Sequence, residues 1–162
     1  MKSPQEYADS IDEKIASLQQ YARKLDEETI RLKPSPKEWS VMELLCHVEE
    51  FPLYFTNELE KVVSGEAEEW GRGMDHSGRL KAVEAAESRE VDDVLKGIDF
   101  TRETVNKLLQ RLTENDLKIE KPHRNPKFGT KPMEFLVQHF LEEHLETHQK
   151  QFQRIVSQVQ HA

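Results

Sequence analysis

Apolar residues recur at helical spacing along most of the chain, beginning near its N-terminus. Ser3-Pro4-Gln5-Glu6 reads as a helix start, because Ser3 can cap the first turn, Pro4 suits the first helical position and Glu6 can complete a capping box. Apolar residues three and four positions apart follow, and they are Ile11, Ile15, Leu18, Ala22 and Leu25. We predict that this first helix continues to Leu32, where the segment KPSP breaks it.

A second helix is predicted from about residue 41, because Ser40-Val41-Met42-Glu43 repeats the capping-box pattern after Trp39. Its apolar face consists of Val41, Leu44, Leu45, Val48, Phe55, Leu59 and Val62. We expect it to end at Ser64-Gly65, where glycine can adopt the left-handed conformation of a helix C-terminus. Pro52 lies inside it and predicts a kink, because proline cannot donate a hydrogen bond to the preceding turn.

In the middle of the chain the helical spacing of apolar residues is weaker. Residues 65 to 86 are therefore predicted to form a long crossover with a short helical piece at its end. A third helix is predicted from about Ser88 to Leu112, although Gly97 in its interior disfavours a helix. Its inward residues would be Val91, Leu95, Ile98, Val105, Leu108 and Leu112.

The C-terminal part predicts a loop and then a fourth long helix. Residues 121 to 132, KPHRNPKFGTKP, have loop composition. Thr130 can cap the helix that follows, Pro132 would lie in its first turn, and the helix would run to roughly Val159. The four helices predict a single all-α domain over residues 1–162, a four-helix bundle. Its long crossover between helices 2 and 3 would let these two run parallel.

Composition and charge limit the partners and the location that the protein can be expected to have. The chain of 162 residues has a formal net charge of -8, which argues against a nucleic-acid partner because binding phosphates requires basic surface. The N-terminus lacks the apolar core of a secretory signal, and no stretch is apolar enough for a membrane span, so we expect a cytoplasmic protein without a membrane partner. Cys46 is the only cysteine, which excludes an internal disulfide, and it is interpreted as an inert small residue.

On a helical wheel with about 100° per residue, the three histidines of the fourth helix fall into two groups. His144 and His148 fall within the apolar stripe, which consists of Met133, Val137, Phe140, Leu141, Ile155 and Val159. His139 points the opposite way, and its neighbours there are Glu142, Glu146 and Lys150. Two inward imidazoles one turn apart are costly to bury without partners, and they suit a divalent metal ion. Hydrogen-bonded core histidines are the alternative.

A metal site needs a third ligand, and His47 at the margin of the second helix's apolar face is the best candidate. The other histidines, His76, His123 and His161, lie in predicted loops or at the terminus and are expected to be exposed. Three neutral histidines would leave a coordination position open, as in a catalytic site.

Three segments resemble a known family. They are PKEWSVMELLCHVEEFPLYF, FTRETVNKLLQRLTENDL and GTKPMEFLVQHFLEEHLETHQKQFQRI, and their order and spacing are similar to those of the DinB-like superfamily, the DNA-damage-inducible and YfiT-type metal-binding four-helix bundles. The resemblance implies that His47, His144 and His148 bind one divalent ion, with zinc or nickel favoured and iron or copper as alternatives. Gln151 would lie beside the metal ligands or face the substrate, and Arg102 would serve the cleft or lie on the surface. No catalytic residue is assigned.

The family resemblance also implies a set of activities. Its members include transferases that join a low-molecular-weight thiol such as bacillithiol to electrophiles, a mycothiol-dependent isomerase and probable hydrolases, and many are homodimers. Our leading hypothesis is a metal-dependent thiol transferase, whose partners would be a small thiol, an electrophile and a second copy of the chain. The alternatives are a metal-dependent hydrolase with Glu43 or Glu50 as base, and a non-enzymatic metal-binding stress or interaction protein.

Overall fold

A computed structural model describes residues 2–72 and 77–160, apart from the side chains of Ser77 and Arg79. The predictions made for His76 and His161 lie outside these residues. Its elements are α1 (Pro4–Arg23), α2 (Glu27–Arg31), α3 (Val41–Val63), α4 (Ser77–Glu84), a 3₁₀ turn (Ala85–Ser88), α5 (Val91–Arg111), α6 (Glu114–Leu117), β1 (Glu120–Pro122), β2 (Thr130–Pro132), α7 (Met133–Phe135), a π-helical stretch (Leu136–Glu143) and α8 (His144–Gln160). The last three form one uninterrupted helical segment.

The capping signals place the starts of α1 and α3 correctly. Capping boxes are present at Ser3 with Glu6 and at Ser40 with Glu43. The predicted first helix is too long, however. It ends at Arg23, and the separate helix α2 begins where Asp26 accepts a hydrogen bond from the Thr29 amide at 2.8 Å. A new N-cap therefore divides the predicted stretch in two.

Contacts between α1 and α5 show that these helices are antiparallel. Arg102 of α5 bonds to Asp12 of α1, whereas Asn106, one turn further along α5, bonds to the carbonyl of Ala8. Residue numbers thus fall along α1 as they rise along α5.

Helices α3 and α5 are parallel, as the long crossover predicts. The Thr101 hydroxyl donates to the Glu49 carbonyl at 2.7 Å, and Arg111 donates to Glu60 at 3.2 Å, so both residue numbers rise together. The final helical segment is antiparallel to α3, because Phe55 packs on Phe140 and His47 packs on His148. The result is a bundle in which α1 and α8 point one way and α3 and α5 the other.

The predicted inward residues form the core. All seven apolar residues assigned to the face of α3 are buried, as are those of α5 except Val91, which is half-buried. Gly97 has a packing role, because a Cβ there would lie 1.6 Å from the carboxylate of Glu49. Glycine thus lets Glu49 lie against α5 and form its ion pair with Arg89.

The prediction of a structureless loop over residues 121 to 132 is wrong. Strands β1 and β2 pair antiparallel there, with Lys121 opposite Lys131, and form a short hairpin. Thr130 belongs to β2 instead of capping a helix, and Pro132 is the N-cap of α7. Within the described ranges, no helix combines the length and apolar character needed to cross a membrane.

Candidate metal centre

The three histidines predicted as ligands converge between α3 and α8. His47 comes from α3, and His144 and His148 come from successive turns of α8. One ring nitrogen of each histidine lies within 4.8 Å of those of the other two. His47 and His148 are buried and His144 is half-buried. The cluster thus brings three imidazole nitrogens close together, and three neutral imidazoles are a donor set that zinc and related ions accept.

Aromatic side chains surround this histidine cluster. The Phe51 ring stacks on His144 at 4.3 Å between centroids and lies 4.8 Å from His47. The indole of Trp39 contacts His47 edge-on at 5.2 Å and stacks over His148 at 6.4 Å. Trp39 and Phe51 restrict how far the imidazoles can rotate, and they place apolar surface around the nitrogen donors.

Gln151 fixes the tautomer of His148. Its amide oxygen Oε1 lies 2.8 Å from Nδ1 of His148, and an amide oxygen can only accept a hydrogen bond. Nδ1 therefore donates to Oε1, and in the neutral imidazole Nε2 then keeps the lone pair that a metal ion would require. A hydrogen bond of this kind orients metal-ligating histidines in many proteins.

Arg102 lies between α1 and α5 and serves these helices instead of the cleft. Its guanidinium donates to both carboxylate oxygens of Asp12, at 2.9 and 3.0 Å, and to the amide oxygen of Gln19 at 2.9 Å. The basic residue of the segment FTRE thus joins two helices of the bundle.

The two carboxylates considered as bases are each bound by another side chain or by a capping amide. Glu43 accepts the Ser40 amide in the capping box and lies 3.4 Å from the ammonium of Lys33. Glu50 is bound by the guanidinium of Arg72 through two hydrogen bonds. Neither carboxylate belongs to the histidine cluster, which argues against the roles considered from the sequence.

Cys46 precedes a candidate ligand but is not placed for chemistry. Its side chain is fully buried, and burial raises the pKa of the thiol to about 11. A thiol with such a pKa is protonated near neutrality and is therefore a poor nucleophile. This supports the interpretation of Cys46 as a small core residue.

A cleft of about 500 Å³ opens beside the histidine cluster, and His47 and His144 form part of its wall. The remaining lining residues are Phe55, Arg72, Asn125, Lys127, Phe128, His139, Phe140, Glu143 and Thr147. The hairpin thus contributes three of them, Asn125, Lys127 and Phe128, and none of these was predicted as a site residue. The basic residues of KPHRNPKFGTKP could have indicated a role at the site, but the segment was interpreted only as a loop.

On the outward side of the fourth helix, the helical wheel predicts the exposure of one residue correctly and of another wrongly. His139 is exposed, as predicted, and its Nδ1 lies 3.1 Å from Glu143 on the rim of the cleft. Glu142, expected beside it in solvent, is buried and accepts a hydrogen bond from Lys2 at 2.7 Å. Since residues 136 to 143 are π-helical, with a wider turn than an α-helix, a fixed step of 100° misplaces side chains there.

His123 is buried, so its predicted exposure is wrong. Its ring packs against Trp70 at 4.6 Å and stacks on Phe140 at 5.4 Å, and its Nδ1 accepts a hydrogen bond from the Asn125 amide at 2.8 Å. Burial lowers the pKa of His123, which favours the neutral ring. The hairpin is therefore anchored in the core by a histidine separate from the metal-ligand candidates.

A buried carboxylate, Glu58 of α3, ties the chain before α4 to the hairpin. It accepts hydrogen bonds from the Tyr54 hydroxyl at 3.0 Å, from the Gly71 amide at 3.1 Å and from the guanidinium of Arg124. Glu58, Tyr54, Gly71 and Arg124 are called the Glu58 cluster below. Gly71 and Arg124 are therefore held in place. Each precedes a residue that lines the cleft, Arg72 and Asn125 respectively.

The fold and the site together define a four-helix bundle with a three-histidine cluster at a cleft. The family model of the DinB superfamily matches residues 10–152, and the chain belongs to that superfamily.

Two solved structures share the fold. YfiT from Bacillus subtilis, described as a probable metal-dependent hydrolase with an unusual four-helix bundle topology, is 13% identical, with 94% of this chain and 85% of that chain covered and a TM-score of 0.78. A mycothiol-dependent maleylpyruvate isomerase is 12% identical, with 98% of this chain and 63% of that chain covered and a TM-score of 0.66. A comparison with curated proteins found no match.

Proposed function

We propose that the chain binds one divalent metal ion through His47, His144 and His148 and uses it to activate a low-molecular-weight thiol, of the bacillithiol type, for attack on an electrophile. The observation that carries this proposal is the convergence of three imidazole nitrogens within 4.8 Å beside a cleft. Zinc or nickel is the ion we favour, and iron or copper would accept the same donors. The ion would act as a Lewis acid that favours the deprotonated form of a thiol.

Neighbouring side chains contact the three histidines and surround them with apolar groups. Gln151 holds the Nδ1 proton of His148, which leaves Nε2 available as a donor. Phe51 and Trp39 pack on the imidazoles and supply apolar surroundings in which electrostatic interactions are stronger than in water. The cleft beside His144 would receive the two reactants.

The nucleophile would come from solution. Cys46 is buried and has a raised pKa, and Glu43 and Glu50 are held by other partners. A thiol needs no protein base once its own pKa is lowered, so the site can act with the side chains it has. The fold shared with a mycothiol-dependent isomerase also supports a small thiol as co-reactant.

The experiment is a thiol-transfer assay on metal-loaded protein. Bacillithiol and a fluorogenic electrophile are mixed with the wild type, with His148→Ala and with Lys150→Ala as the control, because Lys150 is exposed on the same helical segment and does not line the cleft. We expect the wild type and the control to accelerate conjugation and His148→Ala to fall to the uncatalysed rate. Equal rates in the wild type and His148→Ala would contradict the proposal.

A hydrolase is the second candidate, because Glu143 lines the cleft next to His144 and could accept a proton from water. The fold shared with a probable metal-dependent hydrolase supports it as well. In this case the metal-loaded protein would cleave activated esters without added thiol, and Glu143→Gln would abolish turnover while the metal remained bound. Ester cleavage that persists in Glu143→Gln would exclude this role for Glu143.

A further inference from the structure

We propose that the cleft contains a subsite for a molecule with an anionic group next to a planar apolar body. Lys127 would bind the anionic group, and Phe55, Phe128 and Phe140 would contact the body. The inference rests on the proposed function, because it specifies the class of electrophile that would be placed beside the metal. The binding itself, however, is measurable without a metal ion.

The charge of the hairpin differs from that of the whole chain. The chain carries a formal net charge of -8, yet the segment from Lys121 to Lys131 contains basic residues and no aspartate or glutamate. Two of its cations are neutralised locally, since Lys121 lies 2.8 Å from Glu68 and Arg124 binds Glu58. The positive charge left over lies further along the hairpin.

Lys127 supplies this remaining charge at the cleft. Its side chain is exposed, lines the cleft and lies with its ammonium 5.7 Å from the centroid of the Phe128 ring. Among residues 2–72 and 77–160 no carboxylate forms an ion pair with it. An anionic ligand in the cleft would therefore gain an attraction that no acidic side chain of the described chain already uses.

An apolar wall lies beside this ammonium. The rings of Phe128 and Phe140 are 5.3 Å apart, and those of Phe140 and Phe55 are 5.1 Å apart, so the three phenyl rings form one continuous surface. A cleft of about 500 Å³ is within the size range of small-molecule sites. A flat ligand could contact these rings while its charged end reaches Lys127.

The hairpin holds this arrangement in place through its own bonds. The Arg124 amide donates to the Trp70 carbonyl at 2.8 Å, and the Trp70 amide donates to the Pro122 carbonyl at 3.2 Å. The Lys127 amide donates to the Asn125 side chain at 3.0 Å. None of these bonds involves the histidine cluster, so the subsite should form whether or not a metal ion is bound.

The probe is 2-naphthalenesulfonate, an anion on a planar apolar body whose sulfonate coordinates metals weakly. Methyl 2-naphthyl sulfone is its neutral counterpart. Both are titrated into the purified full-length chain by calorimetry. We expect saturable binding of the sulfonate and binding of the sulfone that is weaker by about two- to fivefold, the upper part of the range for one exposed ion pair. Absence of saturable sulfonate binding at millimolar concentration would overturn the proposal.

Two variants that each remove one positive charge from the hairpin locate the interaction. Lys127→Met should weaken sulfonate binding by about two- to fivefold and leave sulfone binding unchanged. Lys131→Met is the matched control, because Lys131 lies over Phe135 and does not line the cleft, and its affinity should equal that of the wild type. Equal losses in both variants would indicate a general charge effect and contradict a subsite at Lys127.

Repeating the titration with His148→Ala separates this inference from the proposed function. If that variant does not fold, as judged by circular dichroism, chelator-treated wild type replaces it. The sulfonate affinity should be unchanged, because Lys127 and the phenyl rings do not depend on a metal ion. Protein that binds metal but no sulfonate would disprove the subsite alone, and protein that binds sulfonate but no metal would disprove the proposed function alone.

Discussion

The Glu58 cluster and the histidine cluster lie near one cleft and differ in chemistry, because the first is centred on a buried carboxylate and the second consists of three imidazoles. In the first, one carboxylate receives donors from Tyr54, Gly71 and Arg124. In the second, three imidazoles converge, and Nδ1 of His148 lies against the amide oxygen of Gln151. The first group therefore pairs its carboxylate within the protein. The second groups nitrogen donors of the kind that a divalent cation accepts, so we expect such a cation to stabilise the fold.

The largest expected effect is stabilisation by zinc. At a free zinc concentration about 1,000 times its Kd, the free energy of unfolding should increase by about 4 kcal/mol, because the ion binds only the folded site. Urea unfolding with and without zinc measures this change. His148→Ala should lose it and His139→Ala should retain it. Equal stabilisation of both variants would place the effect outside the histidine cluster.

A substitution in the Glu58 cluster should destabilise the fold without affecting the metal. Gly71 has a φ of 90°, and a Cβ there would lie 2.0 Å from the buried ring of His123. Gly71→Ala should therefore reduce the free energy of unfolding by about 3 kcal/mol, through backbone strain and overpacking together.

Gly129→Ala is the matched control for Gly71→Ala. Gly129 also has a positive φ, of 68°, but a Cβ there would meet nothing within 4 Å. This variant should lose only about 1 kcal/mol, the cost of the left-handed backbone. Chemical denaturation compares the two variants, and equal losses would refute the packing argument at His123. Metal content should be unchanged in both.

Loss of the amide beside His148 should weaken metal binding. Gln151→Leu removes the acceptor for Nδ1–H and should reduce zinc affinity by about tenfold, in line with losses of similar hydrogen bonds to metal ligands. Competition with a chromophoric chelator gives the Kd. Gln149→Leu, whose amide bonds to Ser17 on α1 instead, should retain the wild-type value. Unchanged affinity in Gln151→Leu would show that this bond does not orient the ligand.

The smallest effect concerns alkaline pH. Burial, and then the charge of Glu58, raise the pKa of Tyr54 to about 12, above its ordinary value near 10. The neutral phenol is thus favoured in the folded state, and its contribution is complete below about pH 10 and lost as the pH rises toward about 12. Tyr54→Phe should lose less stability than the wild type over this window. Urea unfolding at matched pH values tests this, and parallel curves would contradict it.

The sequence predicted features that depend on local periodicity. Capping residues located the starts of α1 and α3, and the i, i+4 spacing placed His144 and His148 on one face of a helix. The parallel arrangement of α3 and α5 followed from the length of the crossover. His47 needed the family resemblance in addition, because its angular position on α3 is marginal.

Features that depend on contacts between distant segments could not be predicted in this way. His123 is buried because Trp70 and Phe140 enclose it, and Glu142 is buried because Lys2 reaches it from the other end of the chain. The π-helical stretch changes the direction of side chains before α8, and a wheel with a constant step cannot include that change. The hairpin that lines the cleft also depends on pairing between β1 and β2.

The most direct test of the central claim is the metal content per chain after purification without a nickel column, measured by elemental analysis. The wild type and His139→Ala should each contain close to one divalent ion per chain, and His47→Ala should contain almost none, because it removes the ligand from α3. A wild type without bound metal, or a His47→Ala protein with the wild-type amount, would contradict a three-histidine metal centre.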